Sequence, residues 1–320
     1  MLTEISNSKK SNNLIIEYML GNLCNHKCSY CFPGSNEGDH PWPNVDVAIK
    51  HMDHLFKQYE KIGKDHFELF IIGGEPTLWK ELPKFISYFK SNFNTKIRIS
   101  TNGTRGVDWW KTNAKYFDQV EVSVHNEFAD VDHISEVCDV LYSQFTDVVA
   151  NVLMDPHNFE KCKSIVEQLK KSKHPFPILA KVVHYNGQSI YKTTDLEYFN
   201  KRAKRYPEIF WVYNLPKHES IKVYAKENNK WGTVSEDYFT LHDLNHFKNW
   251  TCNIGVDHIE IFQNGQISSN CRAFIYDEDY HNLYDPNFVE TFNPNIKPIV
   301  CRKDTCHCTG EIIVKKYAKV

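Results

Sequence analysis

The first 185 residues alternate short apolar runs with amphipathic segments, and this alternation predicts six strands and five helices. In the amphipathic segments the apolar residues recur every three or four positions, which places them on one helix face. The predicted strands are Leu14–Leu20, Phe67–Ile72, Lys96–Ser100, Gln119–His125, Asp147–Met154 and Pro177–Val183. The predicted helices are Val45–Ile62, Lys80–Phe93, Asp108–Phe117, His133–Phe145 and Phe159–Ser172. Strands that alternate with helices favour an α/β fold with a parallel sheet of βαβ units.

The remainder of the chain is less regular. Its pattern predicts a helix over Asp195–Tyr206, a strand over Phe210–Leu215 and a polar, irregular segment over Lys217–Tyr238 that covers the sheet. Further on, Asn264 and Gly265 stand between β-prone runs, which predicts a hairpin with a type I′ turn. We therefore expect an N-terminal extension (1–13), an α/β core (14–185), a connecting region (186–250) and a small C-terminal hairpin and helix module (251–320).

Composition narrows the class of protein. Hydrophobic residues make up 41% and charged residues 24% of 320, as in ordinary globular proteins. The net charge of −2 argues against a nucleic-acid partner, and no run approaches the ~20 apolar residues that span a membrane. The chain start shows no signal peptide, so we expect a cytoplasmic protein in which the ten cysteines serve metal binding or catalysis. Cys138 and Cys162 stand apart in predicted helices and are interpreted as small buried hydrophobes.

Three cysteines near the N-terminus carry the strongest chemical signal. Cys24, Cys28 and Cys31 have the spacing C-x3-C-x2-C, with Tyr30 just before the last of them. Three thiolates can hold three corners of a cubic iron–sulfur cluster and leave one iron open for a small molecule. The alternative is a zinc site, which would need a fourth protein ligand. His26 is available, but it lies between two of the cysteines, where one tight loop has trouble turning all four groups inward.

A second motif, Gly73-Gly74-Glu75-Pro76-Thr77, follows the second predicted core strand. Paired glycines at a strand end let the backbone approach a ligand closely. Together with the three cysteines this motif resembles the radical S-adenosylmethionine (radical SAM) superfamily, from about Leu14 to Val183. The resemblance implies a partial (β/α)6 TIM-like barrel. It also implies a [4Fe–4S] cluster on the three cysteines, SAM on the open iron with its amino group held by Gly73–Pro76, and a reductant such as flavodoxin or ferredoxin.

Polar residues stand at the ends of the later predicted strands, where barrel folds gather their active sites. The resemblance implies that such residues contact SAM, and Thr101, Asn102, Ser123 and Asn151 are the candidates; capping of strand ends is the alternative. For an acceptor of a substrate proton the candidates are His184, then His125 and Asp155. Histidine titrates near neutral pH, whereas Asp155 would need a raised pKa and precedes Pro156, which suits a plain turn.

The C-terminal segment contains five more cysteines. Cys252 and Cys271 flank the predicted hairpin, and Cys301, Cys306 and Cys308 follow as C-x4-C-x-C. This arrangement resembles the auxiliary-cluster modules called SPASM, or the shorter twitch, that follow many radical SAM cores. The resemblance implies one four-thiolate [4Fe–4S] cluster with one cysteine to spare, held by Cys252, Cys271 and Cys306 and by either Cys301 or Cys308. The alternative is a zinc site held by Cys252, Cys271 and Cys306 and completed by Cys308 or His307.

The resemblance thus implies a radical SAM enzyme, and we expect it to modify a peptide or protein side chain. One alternative is a dehydrogenase or epimerase of a small molecule such as a sugar. Another, from a different class, is a non-catalytic zinc or iron–sulfur binding protein, which would have no chemical reason to keep both core motifs. About thirteen residues precede the first predicted core strand, so recognition of a leader peptide is expected to need a separate partner.

Overall fold

The computed structural model describes residues 2–6, 12–183, 190–192, 194–195, 197–199, 223–227, 230–234, 239, 244–268, 281–294, 297–306 and 314–318. Four predicted site residues, His184, Cys271, His307 and Cys308, lie outside the described residues. The predicted strand Phe210–Leu215 and most of the predicted helix Asp195–Tyr206 also lie outside them.

The described chain contains one large, mostly parallel sheet, as the sequence predicts. Its strands are β2 (Asn13–Met19), β3 (His66–Ile72), β4 (Thr95–Thr101), β5 (Gln119–Val124), β6 (Asp147–Met154), β7 (Ile178–Val182), β11 (His258–Ile261), β12 (Gln266–Ser268) and β13 (His281–Asn282). The helices are α1 (Val45–Lys61), α2 (Leu82–Asn92), α3 (Val107–Asn113), α4 (Val131–Ser143), α5 (Phe159–Leu169) and α6 (Phe288–Thr291). The strand order is β13-β12-β11-β2-β3-β4-β5-β6-β7, and only β12 and β13 run antiparallel to their neighbours.

The two faces of this sheet differ in chemistry. Along β2, Leu14, Ile16 and Tyr18 are fully buried in the main hydrophobic core with the helices. Alternate residues point to the opposite face. Ile72, Ser100 and Ser123 lie on that opposite face, at strand ends, and line a cavity. The helices therefore cover one face, and the other is the concave interior of the partial barrel, where polar side chains are gathered.

Local sequence explains where the helices begin. Asn44 precedes α1, and its side-chain oxygen accepts hydrogen bonds from the backbone N–H groups of Asp46 and Val47 at 3.0 and 3.1 Å. Asp130 caps α4 in the same way through the N–H of His133. Such caps satisfy donors that have no partner inside the helix. Cys138 in α4 and Cys162 in α5 are fully buried, which confirms their interpretation as core residues.

A second sheet of six antiparallel strands joins the two ends of the chain. Its strands are β1 (Leu2–Ser6), β8 (Val223–Glu227), β9 (Lys230–Val234), β10 (Thr251–Cys252), β14 (Ile299–Val300) and β15 (Lys316–Tyr317), in the order β14-β10-β15-β1-β8-β9. The prediction of an irregular Lys217–Tyr238 is wrong, because β8 and β9 pair as a hairpin within it. The polar sequence of this segment does not show a strand pattern. β8 also pairs with β1, which is far away in the sequence, and such a contact cannot be inferred from the segment alone.

The predicted hairpin around Asn264-Gly265 is confirmed, but its turn type is wrong. β11 pairs antiparallel with β12, and the turn closes with a hydrogen bond from the Gly265 N–H to the Phe262 carbonyl at 2.8 Å. Gly265 has φ +83°, but Asn264 has no positive φ. A type I′ turn with Asn264 and Gly265 at its centre needs a positive φ at both residues, so the turn is not type I′. β11 also pairs in parallel with β2, so the barrel sheet continues past the predicted boundary at residue 250.

None of the helices in the described part of the chain is both long and apolar enough to cross a membrane.

Candidate active site

The three N-terminal cysteines lie in the loop after β2, at the C-terminal edge of the sheet. Their side chains line a cavity of about 190 Å³. The other lining residues are His26, Ser35, Asn36, Ile72, Gly73, Gly74, Ser100, Thr101, Asn102, Ser123 and His125. The structure thus brings the cysteines together with five of the eight residues predicted to bind SAM. These five are Gly73, Gly74, Thr101, Asn102 and Ser123.

The glycine turn after β3 packs directly against the backbone of the cysteine loop. The Gly74 N–H donates to the Gly21 carbonyl at 2.9 Å, and the Glu75 N–H donates to the Leu23 carbonyl at 2.8 Å. Gly73 has φ +132°, and a Cβ there would lie 2.4 Å from the Gly21 oxygen. A Cβ on Gly74 would lie 2.3 Å from the Leu23 oxygen. Only glycine permits this approach, so the turn fixes the loop just before Cys24.

Glu75 lies behind the cavity wall and joins two strand ends. Its carboxylate is fully buried and accepts from the Thr77 hydroxyl and N–H at 2.5 and 3.1 Å, the Thr101 hydroxyl at 2.7 Å and the Asn102 N–H at 2.6 Å. Burial raises the pKa of the Glu75 carboxyl, and these hydrogen bonds oppose the shift. Neither Glu75 nor the buried Pro76 is among the residues that line the cavity. Glu75 therefore positions Thr101 and Asn102.

We expect Glu75→Gln to weaken both the fold and SAM binding. In the variant an NH2 group replaces one of the two carboxylate oxygens. Whichever oxygen it replaces, this NH2 group faces at least one N–H or O–H group that donates to the carboxylate in the wild-type protein. A buried donor left without an acceptor costs about 1–3 kcal/mol. Denaturant unfolding and calorimetric SAM titration of the reconstituted protein would measure the two effects. Glu81→Gln is the matched control, because Glu81 is exposed and makes no capping hydrogen bond. Equal stability and SAM affinity in the two variants would contradict the positioning role.

Asn102 connects the strand end to the cysteine loop. Its side-chain amide donates to Asn25 at 2.8 Å and approaches the Cys24 sulfur at 3.9 Å. From the opposite side the loop is held by Glu127, which follows β5 and accepts from the Ser29 N–H and hydroxyl at 2.8 and 2.5 Å. Sequence analysis missed Glu127; its position just after a core strand end was the available signal. The loop is thus anchored on both sides of Cys28.

Two histidines that line the cavity, His26 and His125, pack against neighbouring aromatic rings. His26 stacks on Phe128 with ring centres 5.0 Å apart and meets His125 edge-on at 5.9 Å. Tyr30 stacks on His125, and its hydroxyl lies 3.2 Å from His125 Nδ1. Burial and, to a smaller extent, the nearby His26 lower the pKa of His125 to about 4, and Glu127 opposes this shift. The His125 imidazole is therefore neutral at physiological pH and available for hydrogen bonding.

Two other predicted site residues lie away from the cavity lining. Asn151 lies opposite Ser123 in the sheet, 5% exposed, and donates to Glu121 at 3.3 Å. Asp155 is 1% exposed and accepts from the side chains of Asn126 and Asn158 and from the His157 N–H at 3.2, 2.8 and 3.0 Å. These contacts give Asp155 a turn-stabilising role after β6. His184 lies outside the described residues.

In the C-terminal module the structure describes three of the five cysteines. Cys301 and Cys306 belong to one buried cluster with Ile5, Phe239 and Phe247. Their backbone N–H groups donate to the Trp250 and Asn245 carbonyls, each at 2.8 Å. Cys252 lies on the neighbouring β10, 5% exposed, in a separate buried cluster. Three of the predicted auxiliary ligands are therefore buried in or beside the β10–β14 strand pair.

Comparisons with known proteins agree with this geometry. Residues 18–196 match the Radical SAM superfamily. The chain is 26% identical over 192 residues to 7-carboxy-7-deazaguanine synthase of Bacillus subtilis (strain 168), a match over 58% of this chain and 62% of that one. It is 30% identical over 92 residues to the S-adenosylmethionine-dependent nucleotide dehydratase of Fibrobacter sp. (strain UWH6), over 28% of each. The chain thus spans less than two thirds of the length of these curated relatives.

Two solved structures share the fold over most of the chain. The structure of anSMEcpe with bound AdoMet superposes with a TM-score of 0.56 at 14% identity and covers 88% of this chain and 81% of its own. Streptococcus suis SuiB bound to precursor peptide SuiA gives 0.54 at 15% identity, covering 88% and 64%. Because the family match spans more than half of the residues, the chain belongs to the radical SAM superfamily.

Membership implies a [4Fe–4S] cluster and SAM, and the cavity suits both. Burial raises the pKa of the Cys24 and Cys31 thiols and raises that of Cys28 to about 12. Such thiols become ligands only when a bound cation favours the thiolate. The three thiols line one cavity beside a glycine turn that leaves no room for a Cβ. Three thiolates can hold three irons of a [4Fe–4S] cluster, so the fourth iron has an open coordination position.

Proposed function

We propose that this enzyme cleaves SAM reductively and uses the resulting radical to modify a peptide or protein side chain. Cys24, Cys28 and Cys31 would ligate the cluster. The observation that carries this proposal is the single cavity shared by the three thiols and the Gly73-Gly74 turn. A cluster held by these thiols would supply one electron for the reductive cleavage of SAM to methionine and a 5′-deoxyadenosyl radical, and that radical would take a hydrogen from the substrate.

The residues of the cavity wall divide the work of holding SAM. The Gly73-Gly74 backbone would bind the amino group of SAM, with Glu75 and Pro76 fixing the turn. Thr101, Asn102 and Ser123 would bind its polar groups from the strand ends, with Asn151 positioned behind Ser123. His125 lines the cavity and stacks on Tyr30; its ring would limit the access of water from that side, which would protect a radical from side reactions.

For the substrate, a peptide or protein side chain is the first candidate. The fold match that includes SuiB bound to a precursor peptide extends over 88% of this chain. The matches to the deazaguanine synthase and the nucleotide dehydratase cover 58% and 28%. Their sequence similarity nevertheless supports a second candidate, a small molecule such as a nucleobase or sugar derivative.

The direct test is to reconstitute the protein anaerobically with iron and sulfide, add SAM and dithionite, and quantify 5′-deoxyadenosine and methionine. Equimolar formation of both products supports the proposal, and no product above a protein-free blank contradicts it. Peptides encoded by neighbouring genes and a set of nucleotides and sugars are then added separately. The substrate class is the one that increases 5′-deoxyadenosine release and is itself consumed.

We also propose an auxiliary [4Fe–4S] cluster of the SPASM or twitch kind in the C-terminal module. Cys252, Cys271 and Cys306 are the proposed ligands, and Cys301 or Cys308 completes the set. The burial of Cys301 and Cys306 in one cluster supports Cys301 as the fourth ligand. The division of the chain into residues 1–13, 14–185, 186–250 and 251–320 stays part of this proposal.

This proposal predicts the metal content. Two [4Fe–4S] clusters require about eight irons per chain, because each contains four. Replacing Cys24, Cys28 and Cys31 together by alanine should leave about four, measured by plasma mass spectrometry. A triple variant that retains one zinc and no iron would show that the C-terminal cysteines form a structural zinc site instead.

A substrate radical that is oxidised must also lose a proton, and His184 is the first proposed acceptor, followed by His125 and Asp155. The low pKa of His125 makes it a weak base, and the Asp155 carboxylate already accepts three hydrogen bonds. Both observations favour His184. His184→Ala should keep the cluster absorbance and uncoupled SAM cleavage but abolish substrate turnover. Turnover at the wild-type rate would exclude His184.

A further inference from the structure

Glu127 places a carboxylate beside the central thiol of the cysteine loop. It follows β5, and its two oxygens accept hydrogen bonds from the Ser29 N–H at 2.8 Å and from the Ser29 hydroxyl at 2.5 Å. Ser29 directly follows Cys28 in the chain. Two hydrogen bonds therefore hold this carboxylate against the residue next to a proposed cluster ligand.

The Glu127 carboxylate has no ion-pair partner among the described residues. Its hydrogen bonds come from Ser29, and no Lys, Arg or His nitrogen in the described ranges forms an ion pair with it. The neighbouring His125 imidazole is neutral, because burial is the main cause that lowers its pKa to about 4. Glu127 is only partly exposed, so solvent and salt screen its negative charge incompletely. This charge therefore acts on the cysteine loop.

The three thiols differ in the charges that surround them. Burial raises the pKa of the Cys28 thiol to about 12, and the Glu127 carboxylate is the next largest cause. Burial also raises the pKa of the Cys24 and Cys31 thiols, but there the Lys27 ammonium opposes the rise. At Cys28 the charged side chain with the largest effect is thus a carboxylate, which disfavours added negative charge.

We propose that the Glu127 carboxylate lowers the reduction potential of the [4Fe–4S] cluster proposed for Cys24, Cys28 and Cys31, here called the core cluster. This inference rests on the proposed function. Reduction adds one electron, and a fixed negative charge nearby makes that addition less favourable. Glu127 also takes up the Ser29 N–H, so this donor is not available to stabilise the added charge on a cluster sulfur.

This role affects both electron transfers of the proposed reaction. One electron moves from the reductant to the core cluster and then to SAM, whose bond between sulfur and C5′ breaks. A lower potential makes the first transfer less favourable and the second more favourable. Glu127 is thus a positioning residue that acts on SAM cleavage through the electrostatics of the cysteine loop.

The test is a redox titration of the reconstituted holoenzyme, followed by electron paramagnetic resonance. The signal of the core cluster is the one missing from the triple cysteine variant. Glu127→Gln keeps the shape, and both contacts with Ser29 can remain, because the amide oxygen accepts from the N–H and the hydroxyl accepts from the NH2 group. Only the charge is lost. At a given applied potential the reduced-to-oxidised ratio should rise about tenfold, a positive midpoint shift of about 59 mV for one electron.

Two control variants separate the charge from the contacts. Glu136→Gln removes the same charge from an exposed position on α4 and should leave the midpoint at the wild-type value. Ser29→Ala removes the hydroxyl contact but keeps the N–H contact and the carboxylate, so its midpoint should also stay at the wild-type value.

An unchanged midpoint in Glu127→Gln overturns the inference. So does an equal shift in Ser29→Ala, because the position of the loop and not the charge would then set the potential. A Glu127→Gln variant that assembles no core cluster, measured by its iron content, also overturns it, because Glu127 is then required for the loop itself. Wild-type protein that cleaves no SAM contradicts the proposed function instead, so the two failures are distinguishable.

Discussion

Cys28→Ala should abolish 5′-deoxyadenosine formation while leaving most of the fold intact. Cys28 is the central thiol of the loop, and Glu127 anchors the next residue, Ser29. Without this thiol only two protein ligands remain. A site that leaves one iron open to SAM needs three thiolates, so the variant lacks one of the ligands of the cluster. The loop itself keeps its contacts, because they are made by backbone groups and by neighbours of Cys28. Chromatography of a dithionite reaction measures the product, and circular dichroism measures the fold.

Cys138→Ala is the matched control for this experiment. Cys138 is also buried, but it lies in α4 within the hydrophobic core. Its replacement should lower stability slightly through lost packing and leave product formation at the wild-type level. Product from Cys28→Ala at the level of Cys138→Ala would refute the assignment of Cys28 as a cluster ligand.

Gly74→Ala should have a comparably large effect, through the backbone. The added Cβ would lie 2.3 Å from the Leu23 oxygen and 2.6 Å from the Leu23 carbonyl carbon. No rotamer relieves a clash between backbone atoms, so β3 and the cysteine loop must separate. Overpacking of this kind costs about 3 kcal/mol, and the separation would also break the hydrogen bonds from Gly74 to Gly21 and from Glu75 to Leu23. We expect lower denaturant stability and reduced cluster occupancy by absorbance.

Gly106→Ala controls for the substitution itself. Gly106 precedes α3 with φ −58°, and a Cβ there would meet no atom within 4 Å. This variant should match wild-type stability and iron content. If Gly74→Ala behaves in the same way, the close packing of the turn on the cysteine loop is not needed for the site.

The barrel core was predictable because its signals are local. Each of its six predicted strands overlaps an observed one, since alternating apolar runs and helix caps are short-range features. That these residues share one cavity was predictable for the same reason, because Cys24, Cys28 and Cys31 are close in sequence and Gly73-Gly74 directly follows a strand.

What escaped prediction depends on contacts between distant segments. Glu75 was expected to bind SAM, yet its carboxylate is buried against Thr77, Thr101 and Asn102. The parallel pairing of β11 with β2 could not be inferred from either strand alone. Strand register across some 240 positions has no short-range pattern, so only the folded sheet reveals it.

The position of β1 bears on how the chain folds during synthesis. β1 lies inside the six-stranded sheet, with β15 on one side and β8 on the other. On the ribosome Leu2–Ser6 emerges before the barrel strands, but one of its partners, Lys316–Tyr317, is made after them. Pairing between such distant segments carries a loop-closure cost and forms slowly. β1 is therefore expected to become ordered only after the barrel strands β2–β7, although it is synthesised before them.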